Sequence, residues 1–174
     1  MAIVETQAAS SWQRTGKHLV FRLEGEEYGF PVLKVQEIVR WTELTRVPRV
    51  PDFILGVINL RGKVVPVIDL HVRFGLPPAP VTPRTCVIVL QVPRESGLLV
   101  SGVVADDVLE VLDVAAEQIG PPPEFGGRVN TEFIAGVVQA DSRVILLLNA
   151  EKILDNRDWT FVEKVLEEKE QAHE

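Results

Sequence analysis

Histidines, cysteines and clustered carboxylates are the side chains that bind metals and move protons, so their spacing is the first thing to read. The chain has three histidines, His18, His71 and His173, and none stands at ligand spacing from another candidate ligand. The single cysteine, Cys86, lies among Val87, Ile88 and Val89 and reads as a small core residue rather than a nucleophile. Asp106, Asp107, Glu110 and Asp113 form an acidic run. They alternate with Val108, Leu109, Val111 and Leu112, which fits a strand with one wet face better than an acid–base pair. The stretch from Gly56 to Lys63 has the glycines and lysine of a phosphate loop. However, five residues rather than four separate Gly56 from Gly62, and Val64 stands where a hydroxyl would meet magnesium. It reads instead as a hairpin with its turn at Arg61-Gly62. No catalytic residue, metal or cofactor is expected.

Two charges remain of interest. Glu37 sits in Val35-Gln36-Glu37-Ile38, between residues of half-buried character, and Arg61 sits at the tight turn. If they meet, the pair would present one shaped polar feature on an apolar surface. Such a pair contributes about 0–1 kcal/mol to stability. Its use would be in specificity for a partner.

The elements that must carry these residues are short Val/Ile/Leu-rich segments broken by Gly, Pro and Asp, the pattern of an all-β barrel or sandwich. In Lys17–Leu23, Leu19, Phe21 and Leu23 share one strand face, and His18, Val20 and Arg22 the other. Residues 63–70, 86–92 and 143–149 read as mostly buried strands, with Pro66 predicting an edge or a bulge. Helical periodicity is clear only at the end, where Trp159, Val162 and Leu166 fall on one face of a docked C-terminal helix.

The sequence also repeats. Phe53-Ile54-Leu55-Gly56-Val57-Ile58 aligns with Phe133-Ile134-Ala135-Gly136-Val137-Val138, and 64–69 aligns with 144–149 at the same offset of 80. An offset of 73 aligns Gly29, Val35, Glu37 and Ile38 with Gly102, Val108, Glu110 and Val111. Two similar units imply two similar small barrels. The expected division is a disordered tail at 1–16, a first barrel at 17–80, a second at 81–154, and a helix and tail at 155–174. The Pro-rich stretch 77–83 serves as the boundary.

A net charge of −7 gives no basic footprint for a phosphate backbone, so nucleic acid is not expected as a partner. No apolar run reaches the ~18 residues that cross a bilayer. The expected location is the cytoplasm, with any membrane association supplied by another protein.

Residues 27–38, then Val47-Pro48 through Pro51-Asp52-Phe53-Ile54-Leu55-Gly56-Val57-Ile58-Asn59-Leu60-Arg61-Gly62, then 64–70, resemble CheW-type coupling proteins of bacterial chemotaxis arrays. Gly102-Val103-Val104, 117–125, 133–136 and 151–154 continue the likeness, which covers roughly residues 17 to 154. Ala105, where another β-branched residue is usual, and Asn149, where Asp is usual, depart from the pattern.

The resemblance implies two five-stranded SH3-like barrels and a non-enzymatic adaptor. That adaptor would bind the regulatory domain of the kinase CheA and the cytoplasmic tip of a chemoreceptor, and would be held at the membrane through receptor arrays. Positions similar to receptor-contact residues are Val35, Glu37, Gly56, Arg61, Gly62, Val108, Val111 and Gly136. Kinase contacts are unassigned beyond apolar barrel edges, and an apolar groove between lobes could accept a helix tip. Other readings are a coupling module of a surface-motility array, a CheV-type regulator, or a small β-barrel ligand-binding protein.

Overall fold

The computed structural model describes residues 15–94, 97–121 and 131–154. The expected C-terminal helix at 155–174 and most of the expected N-terminal tail lie outside them. The strands are β1 (Gly16–Leu23), β2 (Glu26–Pro31), β3 (Val35–Arg40), β4 (Ile54–Leu60), β5 (Lys63–Ile68), β6 (Cys86–Arg94) and β7 (Gly97–Ala105). They continue with β8 (Asp107–Val114), β9 (Ile119–Gly120), β10 (Ile134–Ala140) and β11 (Arg143–Leu148). Two single-turn helices, α1 (Leu70–Arg73) and α2 (Ala150–Ile153), follow β5 and β11. The protein is all-β. Its two curled sheets, with the orders β3-β6-β7-β5-β4 and β8-β1-β2-β11-β10-β9, form the two SH3-like barrels.

These sheets divide the chain differently from the expected boundary at 80/81. Barrel one is built from 35–105, and barrel two from 107–148 together with β1 and β2. The repeat was visible, but similarity cannot say which copy of an equivalent edge a hairpin will pair with. Here each unit's leading hairpin completes the other unit's barrel. β2 pairs in parallel with β11, Gly29 opposite Leu147, and β7 pairs in parallel with β5, Gly102 opposite Val67. Under the repeat offsets these two ladders interchange, as a two-fold relation between the barrels requires. Pro66 is in neither an edge strand nor a bulge; it lies one residue before the β5–β7 ladder begins at Val67.

Alternation sends successive side chains to two different cores. In β6, Val87 and Val89 fill barrel one with Ile58, Val65 and Val67. Ile88 and Leu90 point the other way, into a core shared by both barrels, where Leu19, Phe21 and Leu23 of β1 also lie. Val20 and His18, on the opposite face of β1 from those three, are buried too, and Val20 packs inside barrel two with Ile145 and Leu147. A chain of rings, Phe30, Phe21, Tyr28, Phe74 and Phe133, runs through the shared core with centroids 5.2–6.0 Å apart.

Inside each barrel a glycine makes room for the parallel ladder. A Cβ on Gly102 would meet Val87 Cγ1 at 2.6 Å, and one on Gly29 would meet Leu147 Cδ2 at 3.2 Å. Cys86 is a core residue, as read from the sequence. Burial, and then the charge of Asp107, push its thiol up to about 11, so it stays protonated and unreactive at neutral pH.

Candidate functional site

The β4–β5 connection is a two-residue turn in which Arg61 (φ +51°) and Gly62 (φ +86°) both adopt left-handed backbone. Asn59 Oδ1 accepts a hydrogen bond from the Gly62 N–H at 2.8 Å and pins the turn. On β3 the register with β6 slips at Gln36, leaving Val35 opposite Leu90 and Glu37 opposite Val89. The turn and the slip bring Arg61 and Glu37 together: the guanidinium donates to Glu37 Oε2. Glu37 is the sheltered member, at 23% side-chain exposure against 72% for Arg61. Gln36 Nε2 donates to the same carboxylate oxygen at 3.3 Å.

The other sequence-read positions lie as follows. Val35 and Val108 are half-buried against the shared core. Val111, on β8, is exposed. Gly62 is exposed on the turn beside Arg61. Gly56 and Gly136 are buried, and each has a packing reason to be glycine. A Cβ on Gly56 would strike Thr45 O at 2.5 Å, because Thr45 pairs its backbone with Val57. One on Gly136 would meet Ile119 Cγ2 at 2.9 Å beneath β9. The eight positions thus fall in two sets: Val35, Glu37, Gly56, Arg61 and Gly62 in barrel one, and Val108, Val111 and Gly136 in barrel two.

The counterpart of Glu37 in barrel two, Glu110, also meets an arginine. Arg143 donates to Glu110 Oε1 at 3.4 Å and, more closely, to Glu27 Oε1 at 2.6 Å from Nη2 and 3.1 Å from Nε. The hydrogen bonds from Arg143 to Glu27, ahead of those to Glu110, push its guanidinium pKa above the usual arginine value.

A groove of about 890 Å³ lies between the barrels. Val32 and Leu33 of the turn after β2, Pro93 and Leu98 of the β6–β7 hairpin, and Ala135 and Leu148 of barrel two line it. Leu33 is 77% exposed and Leu98 67%, and their gathering on one groove makes an apolar patch of the kind that marks an interaction site. Lys34 and Glu151 pair at 3.0 Å on its lip. These lining residues were not among the site positions read from the sequence. The available signal was Val32-Leu33, two adjacent apolar residues at the end of a strand, of which only one can face inward.

Among the described residues no group of three or more His, Cys, Asp or Glu could hold a metal ion, and no helix is long and apolar enough to cross a membrane. The arrangement is a double β-barrel with an apolar inter-barrel groove and an exposed Glu37–Arg61 contact on a hairpin turn, equipment suited to binding other proteins.

Comparison with known proteins agrees. The CheW-like domain family matches residues 17–158. The chemotaxis protein CheW of Klebsiella aerogenes is 40% identical over 95% of this chain and 98% of its own length. CheW of Bacillus subtilis is 36% identical over 82% and 89%, and protein FrzA of Myxococcus xanthus is 40% identical over 77% and 82%. The crystal structure of the scaffolding protein TtCheW from Thermoanaerobacter tengcongensis superposes with a TM-score of 0.73 at 31% identity, over 83% of this chain and 90% of that one. The chain belongs to the CheW-like domain family.

Proposed function

We propose that the protein is a non-enzymatic adaptor that couples the cytoplasmic tip of a chemoreceptor to the regulatory domain of the histidine kinase CheA. The observation that carries this reading is the apolar groove between the barrels, in a chain whose family relatives include a scaffolding protein. A groove of this kind accepts the apolar face of a helix, the form a receptor tip takes. The Glu37–Arg61 contact and Val35, on barrel one, supply specificity at the receptor face, with Gly62 shaping the turn and Gly56 permitting the close approach of Thr45; Val108, Val111 and Gly136 extend that face onto barrel two. Apolar barrel edges take the kinase domain.

Each face buries an interface near the small end of the specific range, about 1,200 Å² or somewhat less. Single contacts of that size are weak, and repetition in an array supplies the strength. The protein acts in the cytoplasm and is held at the membrane through its receptors.

The test is binding of the purified protein to a CheA regulatory domain and to a receptor-tip fragment, with Arg61→Ala and Val35→Met beside the wild type. Micromolar binding to both partners, weakened for the receptor alone by Arg61→Ala, supports the reading. A well-folded protein that binds neither overturns it. A second reading is the same adaptor serving a surface-motility array instead of a chemotaxis array. Preference for the kinase domain of that array over CheA separates the two. A metabolite that raised the melting temperature would point instead to ligand binding in the groove.

A further inference from the structure

The barrels meet at two seams built from equivalent pieces of chain. At each, the short helix that follows β5 or β11 approaches the crossover that leads into an edge strand of the other barrel. At the first seam Lys34, before β3, meets Glu151 of α2, on the lip of the open groove. At the second, His71 of α1 meets Asp106, between β7 and β8, at 2.9 Å. His71 is the counterpart of Glu151 at the repeat offset of 80. It is 2% exposed.

The second seam is tied by more than one bond. A carboxylate only accepts, so it is His71 Nε2–H that donates to Asp106 Oδ1. Asp106 Oδ2 accepts from the Glu24 backbone N–H at 3.0 Å, and the Asp106 N–H donates to Arg22 O at 3.0 Å. One residue thus grips the β1–β2 hairpin of barrel two by its turn and presents its other oxygen to barrel one. On the barrel-one side, Asp69 Oδ1 accepts from the His71 N–H at 2.9 Å and fixes the backbone that carries the ring. The remaining ring nitrogen, Nδ1, is buried with no hydrogen-bond partner. An apolar residue there would avoid that desolvation cost, so stability alone does not explain a histidine at this position.

What it can supply is direction. The shared core holds the barrels together, but apolar burial is non-directional and tolerates sliding and tilting. A charge-assisted hydrogen bond, here between a buried ring and a half-buried carboxylate, is directional in distance and angle. We propose that His71 is a positioning residue: its bond to Asp106 sets the angle between the two barrels, and through it the width of the groove at the other seam. The consequence for partner binding rests on the adaptor reading above; the angle itself does not.

The experiment therefore measures the angle without a partner. Spin labels at Leu98→Cys on β7 and Val144→Cys on β11, both exposed, place one probe on each barrel in a Cys86→Ala background. The expected result is a single narrow distance distribution that broadens and shifts its mean in His71→Leu. It should return in His71→Gln, whose amide can still donate to Asp106. A merely structural role would lower the melting temperature and leave the distance unchanged, so an unshifted His71→Leu distribution overturns the proposal. If that variant does not fold, Asp106→Ala, at a half-buried side chain, is read in the same way.

Discussion

Barrel one carries its acid–arginine contact as a single exposed pair, Glu37 with Arg61; barrel two carries its own as a three-membered tie, with Arg143 gripped by Glu27 and touching Glu110. The two acids occupy the same place in the repeat. Arg61 lies within the hairpin turn, and Arg143 is the first residue of the returning strand. In that position Arg143 also meets Glu27 on β2, the neighbouring strand, and its charge is spent inside the protein. Arg61 has one internal partner and most of its surface in water. The same element has become a structural tie in one barrel and a presentable contact in the other. In a duplicated scaffold, the copy with fewer internal partners is the place to look for recognition.

Four measurements would break or sharpen that comparison. The largest effect is expected at the glycines inside the barrels. Gly102→Ala drives a methyl to 2.6 Å from Val87 and should cost about 1–3 kcal/mol, whereas Gly29→Ala, at 3.2 Å from Leu147, should cost about 1 kcal/mol or less. Urea denaturation of both variants ranks them; equal losses would mean that the barrels are packed alike. Next comes Glu27→Ala, which removes the main partner of Arg143 and should lower stability by about 1 kcal/mol. The matching change in barrel one, Arg61→Ala, should stay within about 0–1 kcal/mol and show itself in receptor binding. A stability loss from Arg61→Ala as large as that from Glu27→Ala would remove the distinction.

The fourth concerns acid. His18 is buried and donates from Nδ1 to Gly16 O at 3.0 Å. Burial holds its pKa below the ordinary 6.5, against smaller opposing effects from that hydrogen bond and from Asp113. The folded protein therefore binds this proton less readily than the unfolded chain does. Above the ordinary value both states are neutral and pH has no effect through this group. Below it, stability falls by at most about 1.4 kcal/mol per pH unit. Denaturation midpoints at pH 7.5 and 5.5 should converge in His18→Gln, and unchanged pH dependence in that variant would assign the effect elsewhere.

Much of this architecture was legible beforehand. Period-two alternation placed Leu19, Phe21 and Leu23 on one face, and the Phe-Ile-x-Gly repeat announced two barrels. Glu37 and Arg61 stand out as the charges to watch, but the sequence leaves their meeting open, because it needs both the left-handed turn at Arg61-Gly62 and the register slip of β3 against β6. The exchange of hairpins was not legible, because β1 and β6 offer equivalent edges and the choice between them depends on long-range pairing. A groove between the lobes was expected, but its lining was not legible, because its walls come from six separate stretches of chain. The role of His71 also escaped the spacing argument, since its partner is 35 residues away and the contact serves orientation rather than ligation.

The exchanged hairpins also set an order of events at the ribosome. Every strand of barrel one has emerged once residue 105 is out, so it can close while the rest is still being made. The first strands synthesised, β1 and β2, must wait for β8 and finally for β11 at Leu148. Such long-range pairing is slow, and an unpaired hairpin is a template for the wrong neighbour. Arrested nascent chains ending shortly after residue 105 should already resist protease across barrel one and remain cleavable within residues 16–31. In a crowded polysome, two such chains could each lend the other a hairpin, so the topology that joins the barrels also opens a route to entangled dimers before synthesis ends.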